Sequence, residues 1–359
     1  MSDKADVLVV GAGIVGLFTA LEFARKGYDV IVVEKNDGPG HEATSRNAGV
    51  IHVLQLPFNS LKSRLCIEGN RIYHEIDEEY GLGIRWVNAY LASTRSIYRV
   101  LSTLLTWYLH YKLPEDYRVR LVDSKYLRRV EPLVSRNVKV AIEVQGYGVV
   151  HPPTLASRIA EIVEELGSIS YRDTVHSINV VDDYVLVESE RSTYKARMLV
   201  NSAGLYADDV ASMVGDEYRV IPIKGVMTVY DSVKIDSILA WLRIEKKHET
   251  KGGGVIPHPR GTLLGPTYGG IVDKTDYAYS DGDIVALKDK FQPLIDGPLE
   301  GLPEVIVGLR ATTEKRDFII EYSQRSTRVI HLVGIESPGL TAAPAIAKRV
   351  AGMARRVLP

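Results

Sequence analysis

The stretch "ADVLVVGAGIVGLFTALEFARKGYDVIVVEK", residues 5–35, decides the fold. Val7 to Val10 form an unbroken apolar run, the pattern of a strand buried on both faces of a parallel sheet. Gly11, Gly13 and Gly16 follow as GxGxxG, and Leu17 to Ala24 are apolar at helical spacing. Gly27 ends that helix, and Val30 to Val33 make a second buried strand closed by Glu34. Each part has a physical reason. Gly11 permits the tight turn, Gly13 lets backbone approach a pyrophosphate, and Gly16 lets helix pack on sheet. The helix N-terminus offers free N–H groups to phosphate. An acid about 20 residues on accepts hydrogen bonds from ribose hydroxyls and disfavours a 2′-phosphate. Strand, glycine turn, helix, strand and closing acid together predict a dinucleotide site.

Working outward, the chain does not continue with further strand–helix units. A polar, glycine-containing loop, "KNDGPGHEATSRNAG", leads into the short apolar strand of Val50 and Ile51, followed by His52. A helix is expected near 60–80. Strands near 178–181, 184–189 and 196–201, joined by turns such as Asp182-Asp183, read as a β-meander that ends in Ala203-Gly204, a second small-residue turn. Residues 84–91, 219–230, 253–265 and 305–312 read as strands of a mixed sheet, and "KGGGVIPHPRG" as a turn. "RVIHLVGIESPGLTAAPAIAKRVAGM" reads as strand, turn and helix, with Gly339, Leu340 and Thr341 at the turn. A helix starting there can aim N–H groups at negative charge on a bound ring.

At 359 residues, the chain is long enough for two domains. A net charge of −1 gives no reason to expect a nucleic-acid partner. The single cysteine, Cys66, excludes an intramolecular disulfide and a multi-cysteine metal site. No secretory pattern opens the sequence, so a cytoplasmic location is expected. Abundant Lys, Arg and Glu with scarce Gln and Cys lean toward a thermophile. No run has the roughly 20 apolar residues that span a bilayer. Two amphipathic segments raise a peripheral membrane contact, against the plainer reading of helices packed on their own domain. The first is 96–114, with Ile97, Leu101, Leu104, Leu105 and Tyr108 at helical spacing. The second is 345–359, with an Ile346, Val350, Met353 and Val357 stripe beside Lys348, Arg349, Arg355 and Arg356.

The landmarks GAGIVG with Glu34, the Ser-Arg-Asn-Ala-Gly loop, the meander ending in "NSAG" and the late "GIESPGLTAAPAIA" span nearly the whole chain. With them the sequence resembles the D-amino-acid oxidase and glycine oxidase superfamily of flavoproteins. Within it, "NAGVIH", "SLKSRLCIEGN", "PIKG" and "VGLRATTEKRDFII" resemble two groups, the FAD-dependent sn-glycerol-3-phosphate dehydrogenases and the L-2-hydroxyglutarate dehydrogenases. "GPTYGGIVDKTDY" and "RDFIIE" lean toward the first.

The resemblance implies an α/β fold: a Rossmann-like FAD-binding domain of the glutathione-reductase type, with a β-meander and a mixed-sheet substrate domain. It implies a discontinuous FAD-binding domain of 1–80, 146–215 and 320–359, with a substrate domain of 81–145 and 216–319. It implies FAD as cofactor. Gly11, Gly13, Ile14, Val15, Gly16, Glu34 and Lys35 would hold it in the first motif. Thr44, Ser45, Arg46, Asn47, Ala48 and Gly49 would hold it in the loop, and Val175, Ser202, Ala203 and Gly204 at the meander. Gly308, Arg310, Pro338, Gly339, Leu340 and Thr341 complete that set.

The chemistry expected is oxidation of glycerol 3-phosphate to dihydroxyacetone phosphate in glycerol metabolism, the flavin taking a hydride while the protein positions the substrate. L-2-Hydroxyglutarate oxidation, amine or amino-acid oxidation, and a non-catalytic flavin-binding scaffold are the alternatives. A histidine on an apolar strand commonly serves only the fold. The loop before His52, and the resemblance, turn it into the candidate for the hydroxyl proton. Arg310 is the first candidate to clamp an anion, since a guanidinium binds phosphate or carboxylate bidentately. Arg316, Lys224 and His258 follow as substrate-binding candidates. "HVLQLPF" lacks the arginine that the glycerol-3-phosphate enzymes carry after this histidine. Their C-terminal helical domain and cysteine cluster are also not expected, so the acceptor is expected to be a quinone or a separate electron-transfer protein.

Overall fold

The computed structural model describes residues 3–242 and 252–358. The N-terminal stretch folds as its pattern requires. The strand Asp3–Val10 runs into the helix Ile14–Arg25, and Val30–Val33 returns parallel to it. This pair lies inside an eight-stranded sheet whose main path runs Ile319–Tyr322, Val329–Val333, Thr193–Asn201, Asp3–Val10, Val30–Val33 and Ser168–Ser170. All neighbours on that path are parallel except the first two. The meander Val175–Val181, Tyr184–Ser189 and Thr193–Asn201 attaches antiparallel to it. The helices Ile14–Arg25, Pro152–Leu166 and Gly339–Ala354 bury their apolar faces in one core on this sheet.

A second, nine-stranded sheet contains Arg85–Ser93, Val140–Val149, Ile221–Tyr230, Gly254–His258, Gly261–Gly265 and Glu304–Thr312 among its strands. The Val50–Ile51 strand ends it, pairing with Val149 and Gly148, so the flavin loop's own strand joins the second sheet to the first unit of sequence. Helix Leu61–Tyr80 starts beside it. Its first amides are held by the Asp317 carboxylate, which accepts from Leu61 at 2.8 Å and Lys62 at 2.9 Å. Gly81, at φ 61°, ends it in the left-handed conformation that glycine adopts freely.

Several elements escape the sequence pattern. Strand Val140–Val149 carries the fully buried Glu143, paired with Arg120 and accepting from Tyr90 at 2.9 Å, and this acid interrupts its apolar run. The β-rich segment at 253–265 forms an antiparallel hairpin, Gly254–His258 with Gly261–Gly265. Of the turn before it, Lys251 lies outside the described residues, and Gly252 and Gly253 both have positive φ. The C-terminal stripe of Ile346 and Val350 is fully buried, with Met353 and Val357 packed against the same core. That face is therefore covered by protein and is not a lipid-facing one, which corrects the membrane expectation for 345–359. No helix among the described residues is long and apolar enough to cross a membrane.

Candidate active site

The glycine turn is shaped by close approach. Gly11 has φ 101°, and a Cβ there would lie 2.9 Å from the Ser202 carbonyl. A Cβ on Gly16 would lie 2.0 Å from the Gly11 carbonyl, so the helix can cross its own turn only without one. Gly13 meets nothing nearer than Thr44 Oγ1 at 3.5 Å and leaves the helix start without a side-chain cap. Glu34 is buried at the end of the second strand. Its Oε2 accepts from the Ala12 amide at 2.7 Å and its Oε1 from the Asn36 amide at 2.9 Å, which holds the carboxylate beside the turn.

These groups open into one cavity of about 1370 Å³. Common pockets for a single small ligand run about 300–1,000 Å³, so this space suits a dinucleotide and a substrate together. Of the expected cofactor residues, Gly11, Gly13, Ile14, Val15, Glu34, Lys35, Thr44, Arg46, Asn47, Ala48, Val175, Ser202, Ala203, Gly204, Gly308, Arg310, Pro338, Gly339 and Leu340 line it. Gly16, Ser45, Gly49 and Thr341 stand behind its wall. Gly308 lets its strand pass the flavin loop, since a Cβ would lie 2.1 Å from the Arg46 carbonyl. The C-terminal helix begins at the cavity without a side-chain cap. A glycine cradle and helix starts that face the cavity, with a closing carboxylate to accept from a ribose, are what a dinucleotide needs, so the residues present fit FAD.

His52 and Arg310 line the same cavity. His52 is held through its backbone. Its N–H donates to Thr341 Oγ1 at 2.9 Å, and its carbonyl accepts from Asn70 Nδ2 at 3.1 Å. Asn70 is itself fixed by Tyr117, whose hydroxyl donates to Oδ1 at 2.8 Å. The His52 ring packs edge-on to Tyr147, centroids 6.0 Å apart, and neither ring nitrogen has a hydrogen-bond partner among the described residues. Burial pushes its pKa down to about 4, so the imidazole is neutral at ordinary pH.

Arg310 lies near the end of strand Glu304–Thr312, its guanidinium 5.4 Å from the Tyr268 ring centroid and 3.5 Å from the Thr267 carbonyl. It pairs with no carboxylate among the described residues. Burial pushes its pKa down, with Glu336 and Tyr268 opposing, yet a guanidinium stays charged. Arg316 lies at the exposed rim of the cavity, in a turn at φ 52°.

The structure does not bring Lys224 or His258 to the cavity. Gly225 lines it, so strand alternation turns Lys224 to the other face, where its Nζ reaches Asp276 at 2.8 Å and the Ala278 carbonyl at 2.8 Å. His258 ends its strand beside His151, ring centroids 6.1 Å apart. The cavity instead holds Lys62, buried and paired with Glu336 at 3.1 Å. Lys62, Asn70 and Glu336 all sit in phrases that carry the resemblance, but a lysine at a helix start reads by itself as solvated.

A protein-family model described as FAD dependent oxidoreductase matches residues 6–353. The chain belongs to that family. FAD is its cofactor, and it is an oxidoreductase. It is 28% identical to a glycerol 3-phosphate dehydrogenase of Caloramator mitchellensis, over 98% of this chain and 74% of the relative. It is 29% identical to an L-2-hydroxyglutarate dehydrogenase of Indibacter alkaliphilus, over 61% of this chain and 56% of that one. Among solved structures, the dithionite-reduced, FAD-bound L-alpha-glycerophosphate oxidase of Mycoplasma pneumoniae superposes with a TM-score of 0.86. That match is 22% identical and covers 98% of this chain and 95% of the other. It establishes the mixed α/β fold of these flavoproteins.

Proposed function

We propose that this flavoprotein oxidises sn-glycerol 3-phosphate to dihydroxyacetone phosphate and passes electrons to a quinone or an electron-transfer protein. The observation that carries the reading is a neutral, unpartnered His52 in one cavity with an Arg310 that has no carboxylate partner. FAD, when bound, supplies the acceptor for the hydride of the alcohol carbon. His52 is the base: a ring nitrogen free of hydrogen bonds takes the hydroxyl proton. Arg310, braced by Tyr268, binds the substrate anion, and Arg316 at the rim adds positive charge.

Across nearly all of this chain, identity is higher to a relative with the glycerol 3-phosphate name than to one named for L-2-hydroxyglutarate, which favours the phosphate. An arginine clamp also fits a carboxylate, and the partial match to a hydroxyglutarate enzyme keeps L-2-hydroxyglutarate as the second reading. Anaerobic bleaching of the flavin separates them. Rapid reduction by glycerol 3-phosphate is expected. Rapid reduction by L-2-hydroxyglutarate with none by glycerol 3-phosphate overturns the reading in favour of the second.

The division of labour follows the two sheets. We assign 1–80, 146–215 and 320–359 to the FAD-binding unit, and 81–145 and 216–319 to the substrate unit, with 50–51 and 146–149 of the first unit pairing in the second sheet. Limited proteolysis checks this: cleavage of the holoenzyme is expected to spare the first set when FAD is bound.

A further inference from the structure

The helix Tyr98–Lys112 inverts the usual arrangement of an amphipathic helix. Ile97, Val100, Leu104, Trp107 and Tyr111 repeat every three or four residues, and they are exposed at 81%, 72%, 62%, 71% and 72%. The face turned inward is the narrower one, with Ser102 and Leu109 its buried residues. A water-facing helix places its apolar stripe against the core and its polar residues outside. This one keeps a stripe about four turns long in the open.

The polar groups on it agree with a nonaqueous neighbour. Each serine and threonine hydroxyl of the helix donates back to a carbonyl one turn earlier: Ser102 to Tyr98 at 2.6 Å, Thr103 to Arg99 at 3.0 Å and Thr106 to Ser102 at 2.8 Å. No carboxylate lies between residues 97 and 113, whereas Arg95, Arg99 and Lys112 flank the stripe in exposed positions. Asp116, beyond its end, is paired with Arg71. Trp107 and Tyr111 stack at the end where Lys112 stands, with centroids 6.3 Å apart. Aromatic rings beside cations at the edge of an apolar stripe match the headgroup level of a bilayer.

The stripe also reaches the cavity. Tyr108 packs edge-on to Phe58, centroids 5.9 Å apart, and the preceding Leu56, exposed at 59%, lines the cavity with Pro57.

We propose that the outward face of Tyr98–Lys112, with Leu56, seats on an anionic lipid bilayer. The helix lies in the plane of the headgroups, its apolar stripe in the acyl boundary and Arg95, Arg99 and Lys112 against lipid phosphates. The mouth of the cavity near Leu56 then opens toward the membrane. The proposal stands on the helix alone and does not depend on which hydroxy substrate is oxidised.

The test uses the full-length holoprotein and sedimentation with vesicles of phosphatidylglycerol and phosphatidylcholine, compared with phosphatidylcholine alone. Binding is expected on the anionic vesicles, weakened by salt. The double variant Leu104→Asp/Trp107→Asp is expected to lose at least about tenfold in partition. Flavin absorbance and dye-linked turnover should stay unchanged, which reports an intact fold. Brominated lipid should quench tryptophan emission in the unsubstituted protein and not in Trp107→Phe. No partition into either vesicle overturns the proposal. So does a concentration-dependent dimer that the double variant dissociates, since the stripe would then join two copies of this chain. Equal binding to both vesicles overturns the role given to the three cations.

Discussion

At the nucleotide end of the cavity, polar groups are held by the fold itself, whereas at the far end His52 and Arg310 stand without equivalent partners. Glu34 accepts from the Ala12 amide in the glycine turn and from the Asn36 amide beyond its own strand, and Ile14 donates to Thr44 Oγ1 at 3.0 Å. That end is backbone geometry, set mostly within residues 11–44, with the Ser202 carbonyl closing on Gly11. The far end is assembled from side chains on strands and helices far apart in the chain, and its two principal groups are kept available. A base needs an open lone pair and an anion clamp needs an unpaired cation, so satisfying them internally would remove their function. Rigidity is placed where the cofactor stays, and unsatisfied chemistry where the substrate comes and goes.

The comparison breaks first at Gly16. Gly16→Val should destabilise the protein by about 3 kcal/mol or more through overpacking against the Gly11 carbonyl. It should also abolish flavin retention, read by absorbance after gel filtration and by a thermal melt. A variant that keeps its flavin and its melting temperature shows that the turn tolerates what its geometry forbids.

At the other end, His52→Ala should retain flavin and lower kcat by about 10²–10⁴-fold. The pH dependence sharpens this. Burial holds the folded imidazole near 4 while the unfolded one titrates near 6.5, so the unfolded chain binds the proton first. Stability tied to the neutral ring is therefore present above pH 6.5 and lost as pH falls toward 4. His52→Gln should flatten denaturation midpoints over that window, and the acidic limb of kcat/KM should lie near 4 rather than 6.5.

Arg310→Ala should raise KM strongly, with a loss of about 2–5 kcal/mol in kcat/KM and flavin still bound. Loss of flavin instead makes the residue part of the cofactor cradle. The smallest effect is expected at Thr341→Val. It leaves the His52 amide unpaired at a cost of about 1–3 kcal/mol, read as a modest fall in kcat and thermal midpoint.

Much of the first sheet was legible because its signals are local. GxGxxG with Glu34, the meander and the late glycine turn each occupy a few consecutive turns of chain, and the structure places each where its pattern asks. Strand Val140–Val149 was not legible, because Glu143 is satisfied by Arg120 and Tyr90, residues that no local window contains. The same limit governs the site. His52 and Arg310 were readable as candidates, yet the ties that hold His52, Asn70 and Thr341, join positions 18 and 289 residues away. Lys224 and His258 had suitable chemistry and the wrong face or the wrong end of their strands.

The sequence by itself determined the dinucleotide turn, the buried parallel strands and the two amphipathic helices, since glycine placement and apolar periodicity are properties of neighbouring residues. Tertiary structure alone decided what those helices face. The 339–354 stripe closes a core against the helices Ile14–Arg25 and Leu61–Tyr80, and the 98–112 stripe is left open. Their patterns are of one kind. The difference lies in whether another apolar surface is folded within reach, and periodicity records that a face is apolar without recording what will cover it.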